Sequence, residues 1–317
     1  MEKLSAEFYI SEIKRIKAEK NAIILAHYYQ TGDIQDIADF VGDSLALSQK
    51  AASNNADIIL FAGVKFMAET AKILAPEKKV LLPDMNAGCS LADSCKPEDF
   101  KKFLKDNPGR TVVSYVNTTA EIKALSDIIC TSSNAVQIVQ SLPPDEKIIF
   151  APDRNLGNYV LNKTGRDIVI WNGTCHVHEE FSLEAILKLK NENPSAKIIV
   201  HPECELPVRL VADFIGSTAA LLQYTKKDPG DCYIVATEAG IIHQMIKENP
   251  DKTYIPAPPR DSTCGCSECN FMKLISVKKI YDTLLSETPE IFVDKDVMIK
   301  ARKSIVRMMD ISAKLGL

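Results

Sequence analysis

Short apolar runs alternate with longer stretches of helical spacing along the whole chain. Residues 22–26, 58–61 and 80–82 are continuous apolar runs, as expected of strands buried on both faces of a parallel sheet. Between them, LALSQKAAS, opened by Ser44, and FMAETAKIL read as helices. A second series starts at Thr111, with a helix ALSDII, a small-residue helix start at CTSSN, strands over 148–150 and 168–171, and a helix LEAILKLKNEN. A third starts at Lys197, with a helix in GSTAALLQYTKK and a strand over 233–236. Phe8, Ile10, Ile13 and Ile16 predict an N-terminal helix over 5–20, and 277–317 predicts two terminal helices. Strands alternating with helical stretches point to βαβ units and parallel sheets.

The three series share one register. His27, Tyr115 and His201 each follow the first strand of a series, 88 and 86 residues apart. Tyr29, Asn117 and Glu203 keep those spacings, as do Asp39, Asp127 and Asp213, and then Ser44, Ser132 and Thr218. Cys89 and Cys175 close the first two series 86 residues apart, and Cys269 follows after 94. The period is that of a small domain rather than a stacked solenoid repeat. The expected fold is therefore α/β, with three pseudo-symmetric αβα units and short parallel sheets around a central site. The expected boundaries are 1–109 with the N-terminal helix, 110–195, 196–272, and C-terminal helices over 273–317 packing back on the first unit.

Ligands of parallel α/β sheets bind beyond the carboxyl ends of the strands, where these polar residues fall. Ser44, Ser132 and Thr218 sit where helices are expected to begin, and a helix N-terminus with a hydroxyl suits an anion. Asp39, Asp127 and Asp213 read as structural, capping or bonding the turn between helix and strand. Tyr28 reads as packing, and Lys65 and Glu69 as solvated.

A net charge of −4 over 317 residues gives no basic face for nucleic acid or an anionic membrane. No apolar run is long enough to span a bilayer, and the charged N-terminal stretch has no signal-peptide core, so a cytoplasmic protein is expected. In that compartment nine cysteines suggest metal or catalysis rather than disulfides. Three cysteines from three units can converge, one short of a closed zinc site or a fully ligated [4Fe–4S] cluster. An open iron would act as a Lewis acid on substrate oxygens. The local run Cys264, Cys266 and Cys269 keeps zinc or a redox disulfide open as alternatives. Cys95, Cys130, Cys204 and Cys232 have no counterpart in the repeats and read as small hydrophobes. His176 and His178 flank Cys175 and are set aside as ligands.

LAHYYQ, GDSLALSQKA, FAGVKFMAETAKIL, LLPDMNAGCSLADSC, SYVNTTAE, WNGTCHVHE, HPEC, IGSTAAL and CSECNFMKL together resemble the quinolinate synthase family over roughly residues 20 to 285. The resemblance implies three αβα domains around a [4Fe–4S] cluster with three Cys ligands and one open iron. It implies condensation of iminoaspartate with dihydroxyacetone phosphate to quinolinate, phosphate and water, in de novo NAD synthesis, with a transient partner as the source of iminoaspartate. Carried over by motif, Cys89 in AGCS, Cys175 in GTCH and Cys269 before NFM are the cluster ligands. His27, Ser44, Tyr115, Val116, Asn117, Ser132, His201, Pro202, Glu203 and Thr218 are the substrate contacts, with Tyr29 as an acid–base group. Relatives with C-x-x-C-x-x-C at the last site are suspected of a disulfide there; this chain has C-x-C-x-x-C. On this basis Glu203 is expected as general base, Tyr29 and Tyr115 as proton carriers, and His27 and His201 as orienting groups. An aconitase-type hydro-lyase and a non-enzymatic iron–sulfur sensor are the rival classes.

Overall fold

Each of the three series folds into one parallel four-stranded sheet. The computed structural model describes residues 5–260 and 267–317. The first sheet holds β1 (Ala22–His27), β2 (Phe40–Gly42), β3 (Ile58–Ala62) and β4 (Lys79–Leu81). The second holds β5 (Thr111–Tyr115), β6 (Ile128–Cys130), β7 (Ile148–Ala151) and β8 (Ile168–Ile170). The third holds β9 (Lys197–Val200), β10 (Phe214–Ile215), β11 (Cys232–Ala236) and β12 (Thr253–Pro256). The strand order is the same in all three: β2-β1-β3-β4, β6-β5-β7-β8 and β10-β9-β11-β12. Alternate side chains leave opposite faces. Ile198, Val200, Ile234 and Ala236 thus enter one core of the third unit, while Ile199, Tyr233 and Val235 enter the other.

The edge strands β2, β6 and β10 are two or three residues long, too short for the apolar pattern to announce them. ALSDII is accordingly not a helix. The helix is Ala120–Ala124, and the two β-branched residues Ile128 and Ile129 start β6. Asp39, Asp127 and Asp213 stand one residue before these edges. Their carboxylates accept the N–H of Ile24, Val112 and Ile198 at 2.7, 2.8 and 2.8 Å. Their own N–H groups donate to the carbonyls of the same three residues. Each aspartate is therefore a two-bond clasp that pins an edge strand to the first strand of its sheet, the structural role expected of it.

The first and second units share one apolar core with the C-terminal helices, whereas the third sheet lies between two other cores, one of which also takes in Val177, Phe181 and Ile186 from the end of the second unit. Helix Val277–Ser286 packs on the N-terminal helix Ala6–Glu19 and on β3. Helix Lys295–Lys314 lies against Ala120–Ala124 and β6 of the second unit as well as Lys65–Leu74 of the first. It bridges two units instead of resting on the first alone, because Ala301, Ile305 and Met308 fill the core the two share. Between these helices the chain runs along the open edge of β4: Leu82 N–H donates to Pro289 O and Ile291 N–H to Val80 O. Glu69 is not solvated; it is 8% exposed and accepts the Ala120 N–H at 3.0 Å across the junction of the two units. Cys95, Cys130 and Cys204 are buried in apolar clusters. Among the described residues no helix is long and apolar enough to cross a membrane.

Candidate active site

The carboxyl ends of β1, β5 and β9 meet at one cavity of about 60 Å³. His27 and Tyr29, Tyr115 and Asn117, and His201 and Glu203 line it, one pair from each unit. Ser44, Ser132 and Thr218 join them, and so do Cys89, Cys175 and Cys269. Val116 borders a smaller adjoining cavity with Ser44 and Met67, and Pro202 is buried beside His201 and Glu203. Cys264 and Cys266 lie outside the described residues.

Each cysteine is placed by the same backbone device. The N–H of the third residue after each third strand donates to the carbonyl two residues before the cysteine: Lys65 to Ala87, Arg154 to Gly173 and Ala239 to Ser267, at 2.7, 2.8 and 2.7 Å. Cys269 thus stands where Cys89 and Cys175 stand. Gly173 is required at its turn, because a Cβ there would come within 2.6 Å of Pro152 O. One residue earlier in each third-strand loop lie Val64, Asp153 and Glu238. Asp153 faces the Cys175 amide and also accepts the Leu156 N–H at 2.7 Å. Glu238 accepts the Cys269 N–H at 3.0 Å, and Lys273 pairs with it at 2.9 Å while donating to Tyr29 O at 2.7 Å. That ion pair ties the third cysteine to the loop after β1. Burial pushes the carboxyls of Asp153 and Glu238 above their ordinary range.

The expected three helix N-termini are two and a turn. Ser44 and Thr218 begin the helices Ser44–Ser53 and Thr218–Lys227, capped by Asp43 and Ser217. Ser132 sits in a turn ahead of helix Ala135–Gln140, where Asn134 Oδ1 accepts the Thr131 N–H. Ser133 Oγ donates to Asp43 Oδ2 at 2.6 Å and joins the first unit to the second.

A line of polar groups crosses the cavity. Tyr29 hydroxyl bonds Thr218 Oγ1 and Thr237 Oγ1, both at 2.8 Å. Thr237 Oγ1 meets His178 Nε2 at 3.0 Å, and His178 Nδ1 lies 3.1 Å from Glu203 Oε2. Glu203 Oε1 accepts the Tyr115 hydroxyl at 2.5 Å. Burial works against the Glu203 charge, but His178, His201 and the Tyr115 hydroxyl outweigh it and hold the carboxyl below its usual range. Burial pushes both tyrosines up, so they stand as hydroxyls. Burial lowers His27 and His201 to about 3, so both are neutral rings at neutral pH. Their Nδ1 atoms accept the N–H groups of Tyr29 and Glu203, which leaves the ring proton on Nε2.

The donor set fits an iron–sulfur group. Three soft thiols from three units converge on one cavity, and each is fixed by its backbone. Burial raises all three thiols, Cys89 to about 12, a cost that a cationic centre among them would reverse. His178 also touches this group, with Nδ1 3.3 Å from Cys175 Sγ, although the sequence reading set it aside. His176 bonds Ser90 Oγ at 2.8 Å and is not among the lining residues. Thr237, Glu238 and Asp153 were not singled out at all. Aligning the ends of the third strands, AGV, APD and ATE, would have found Asp153 and Glu238; Thr237 carries no such signal.

The family model described as quinolinate synthetase A protein matches residues 11–310. A quinolinate synthase of Synechococcus sp. is 58% identical over 301 residues, 95% of this chain and 94% of its own. One of Thermosynechococcus vestitus is 58% identical over 96% of this chain and 95% of its own. One of Trichormus variabilis is 60% identical over 95% of this chain and 92% of its own. With the family model matching most of its length and relatives at 58–60% identity, the chain belongs to the quinolinate synthetase A family.

Proposed function

We propose that the chain is a quinolinate synthase. It condenses iminoaspartate with dihydroxyacetone phosphate to quinolinate, with loss of phosphate and water, in the cytoplasm and in de novo NAD biosynthesis. The observation that carries the reading is the convergence of Cys89, Cys175 and Cys269 on a buried cavity whose other walls are polar strand ends. The printed name of the relatives supports the product. A transient partner hands over iminoaspartate, since a free imine hydrolyses in water.

Cys89, Cys175 and Cys269 would hold a [4Fe–4S] cluster, which when bound supplies an open iron as Lewis acid for carboxylate and hydroxyl oxygens. The remaining chemistry belongs to the side chains. Ser44 and Thr218 offer hydroxyls at helix N-termini to substrate carboxylate or phosphate oxygens, joined by Ser132 and Asn117. Asn117 Oδ1 is buried with no partner among the described residues, and so is left for a substrate donor. His27 and His201, neutral and donating through Nε2, orient substrate oxygens. Glu203 is the general base and takes protons from carbon. Tyr115, at 2.5 Å from Glu203 Oε1, and Tyr29, reached through Thr237 and His178, return protons to leaving oxygens. Enclosure of the cavity keeps water away from the hydrolysable imine.

The test is iron and sulfide content, the electronic spectrum and quinolinate formation, on zinc-free protein reconstituted without oxygen. About four irons per chain are expected, lost in Cys269→Ser and kept in Cys264→Ser, with quinolinate as the product. Failure to take up iron would sink the reading. Dehydration of a hydroxy-acid without formation of a pyridine ring would replace it with the hydro-lyase.

A further inference from the structure

Cys175 belongs to a second group of donors. Its Sγ, His178 Nδ1 and a Glu203 carboxylate oxygen all lie within 4.8 Å of one another, and His178 and Glu203 are buried. We propose that the chain lacking its iron–sulfur group binds one zinc ion through Cys175 Sγ, His178 Nδ1 and Glu203 Oε2, at a site that excludes the cluster because both need Cys175. The exclusion rests on the reading of Cys175 as a cluster ligand; the zinc site does not.

The distances suit the ion. His178 Nδ1 is 3.3 Å from Cys175 Sγ and 3.1 Å from Glu203 Oε2. A tetrahedral zinc with ordinary bond lengths sets these separations at about 3.6 and 3.3 Å, so a shift of a few tenths of an ångström admits it. Thiolate, imidazole and carboxylate are the donor types zinc takes, and three protein ligands leave a fourth position for water. The outer groups hold the donors in place. In the zinc-bound form His178 Nε2–H donates to Thr237 Oγ1, met at 3.0 Å, so that Nδ1 carries the lone pair, and the Tyr115 hydroxyl holds the other Glu203 oxygen. Glu203 is 2% exposed, yet its Oε2 has no hydrogen-bonded partner among the described residues. A buried carboxylate oxygen without a hydrogen bond, beside a ring nitrogen and a thiol, is a position that a cation would satisfy. The charges close: one Zn²⁺ enters, the Cys175 thiol loses one proton, and thiolate plus carboxylate neutralise the ion. Nothing is oxidised or reduced. Cys89 and Cys269 take no part.

The test is titration of the full-length metal-free chain with cobalt(II), read by its thiolate charge-transfer band, and with zinc in competition with a chromophoric chelator. One metal per chain and one released proton are expected. Cys175→Ser abolishes the charge-transfer band, and His178→Ala and Glu203→Gln weaken zinc at least about a hundredfold, beyond the roughly ten- to hundredfold loss expected of the outer-group variant Thr237→Val. Cys89→Ser and Cys269→Ser bind zinc as the unaltered chain does, although both lose the cluster. The double variant Cys264→Ser, Cys266→Ser does the same. Far-UV circular dichroism and melting of each metal-free variant separate lost binding from lost fold. No stoichiometric binding, unchanged binding in folded His178→Ala, or loss of binding in folded Cys89→Ser or in the double variant would overturn the site. Zinc-loaded chain is expected to refuse iron and sulfide until the zinc is stripped. Uptake of the cluster with zinc retained would overturn the exclusion and leave the zinc site standing. A zinc-free chain that never takes up iron would instead remove the proposed function.

Discussion

Glu203 is ionised in a place that disfavours charge. It is 2% exposed, and the histidines and the Tyr115 hydroxyl keep it charged. Its usefulness as a base depends on that support, which continues through His178 and Thr237 to Tyr29. Thr237→Val deletes the middle of the line without touching a thiol. The expected outcome is a kcat about a hundredfold lower with iron content unchanged, measured by quinolinate formation beside iron analysis. Glu203→Gln should hold its iron and lose turnover by a similar or larger factor; near-normal turnover would mean the base is another group.

At the scale of elements, small polar devices hold short strands in place. Each aspartate clasp joins an edge strand of two or three residues to its neighbour, and such a strand has little burial of its own to hold it. Asp127→Ala is expected to cost about 1 kcal/mol, seen as a lower urea midpoint, and to loosen exchange of the β6 amides first. Glu287 does similar work at the end of helix Val277–Ser286. It sits at φ +55°, and its carboxylate accepts from Lys20 at 2.8 Å and Lys79 at 2.5 Å. Hydrogen bonds from these two lysines lower its pKa from 4.5 to about 2. A depressed carboxylate stabilises the fold above the unfolded pKa and loses that contribution as pH falls through the folded one. Glu287→Gln should therefore lower the melting temperature near neutral pH, by the equivalent of about 1 kcal/mol or less for this part-exposed group. The difference from the unaltered chain should close as the pH approaches 2.

Over the whole molecule the three units are alike in topology and unlike in attachment. The first and second share a core that the last helix bridges, while the strands of the third pack in two other cores, one of which takes in Val177, Phe181 and Ile186 from the end of the second. Substrate entry is therefore expected to swing the third unit, with the Glu238–Lys273 pair and the Tyr29–Thr218 bond among the contacts that break. Hydrogen exchange should be slowed by bound quinolinate in 201–206 and 216–220 far more than in β1 or β5. Equal protection of all three units would mean another route of entry.

The order of residues alone decides the repeat. Strand ends, clasps and cysteines recur at set spacings because each unit solves the same local problem, and local problems leave periodic traces. His27, Tyr115, His201 and the three cysteines were legible for that reason. So was the structural role of the repeated aspartates. What the fold decides is whatever depends on a meeting between units. His178 and Thr237 gain their place only because the second and third units close on each other, and Glu69 is buried only because the first unit meets the second. The edge strands escape notice because their stability comes from a neighbouring strand and a clasp rather than from their own apolar length. The last helix bridges two units because a shared core, invisible in either unit's pattern, is where its apolar face finds burial.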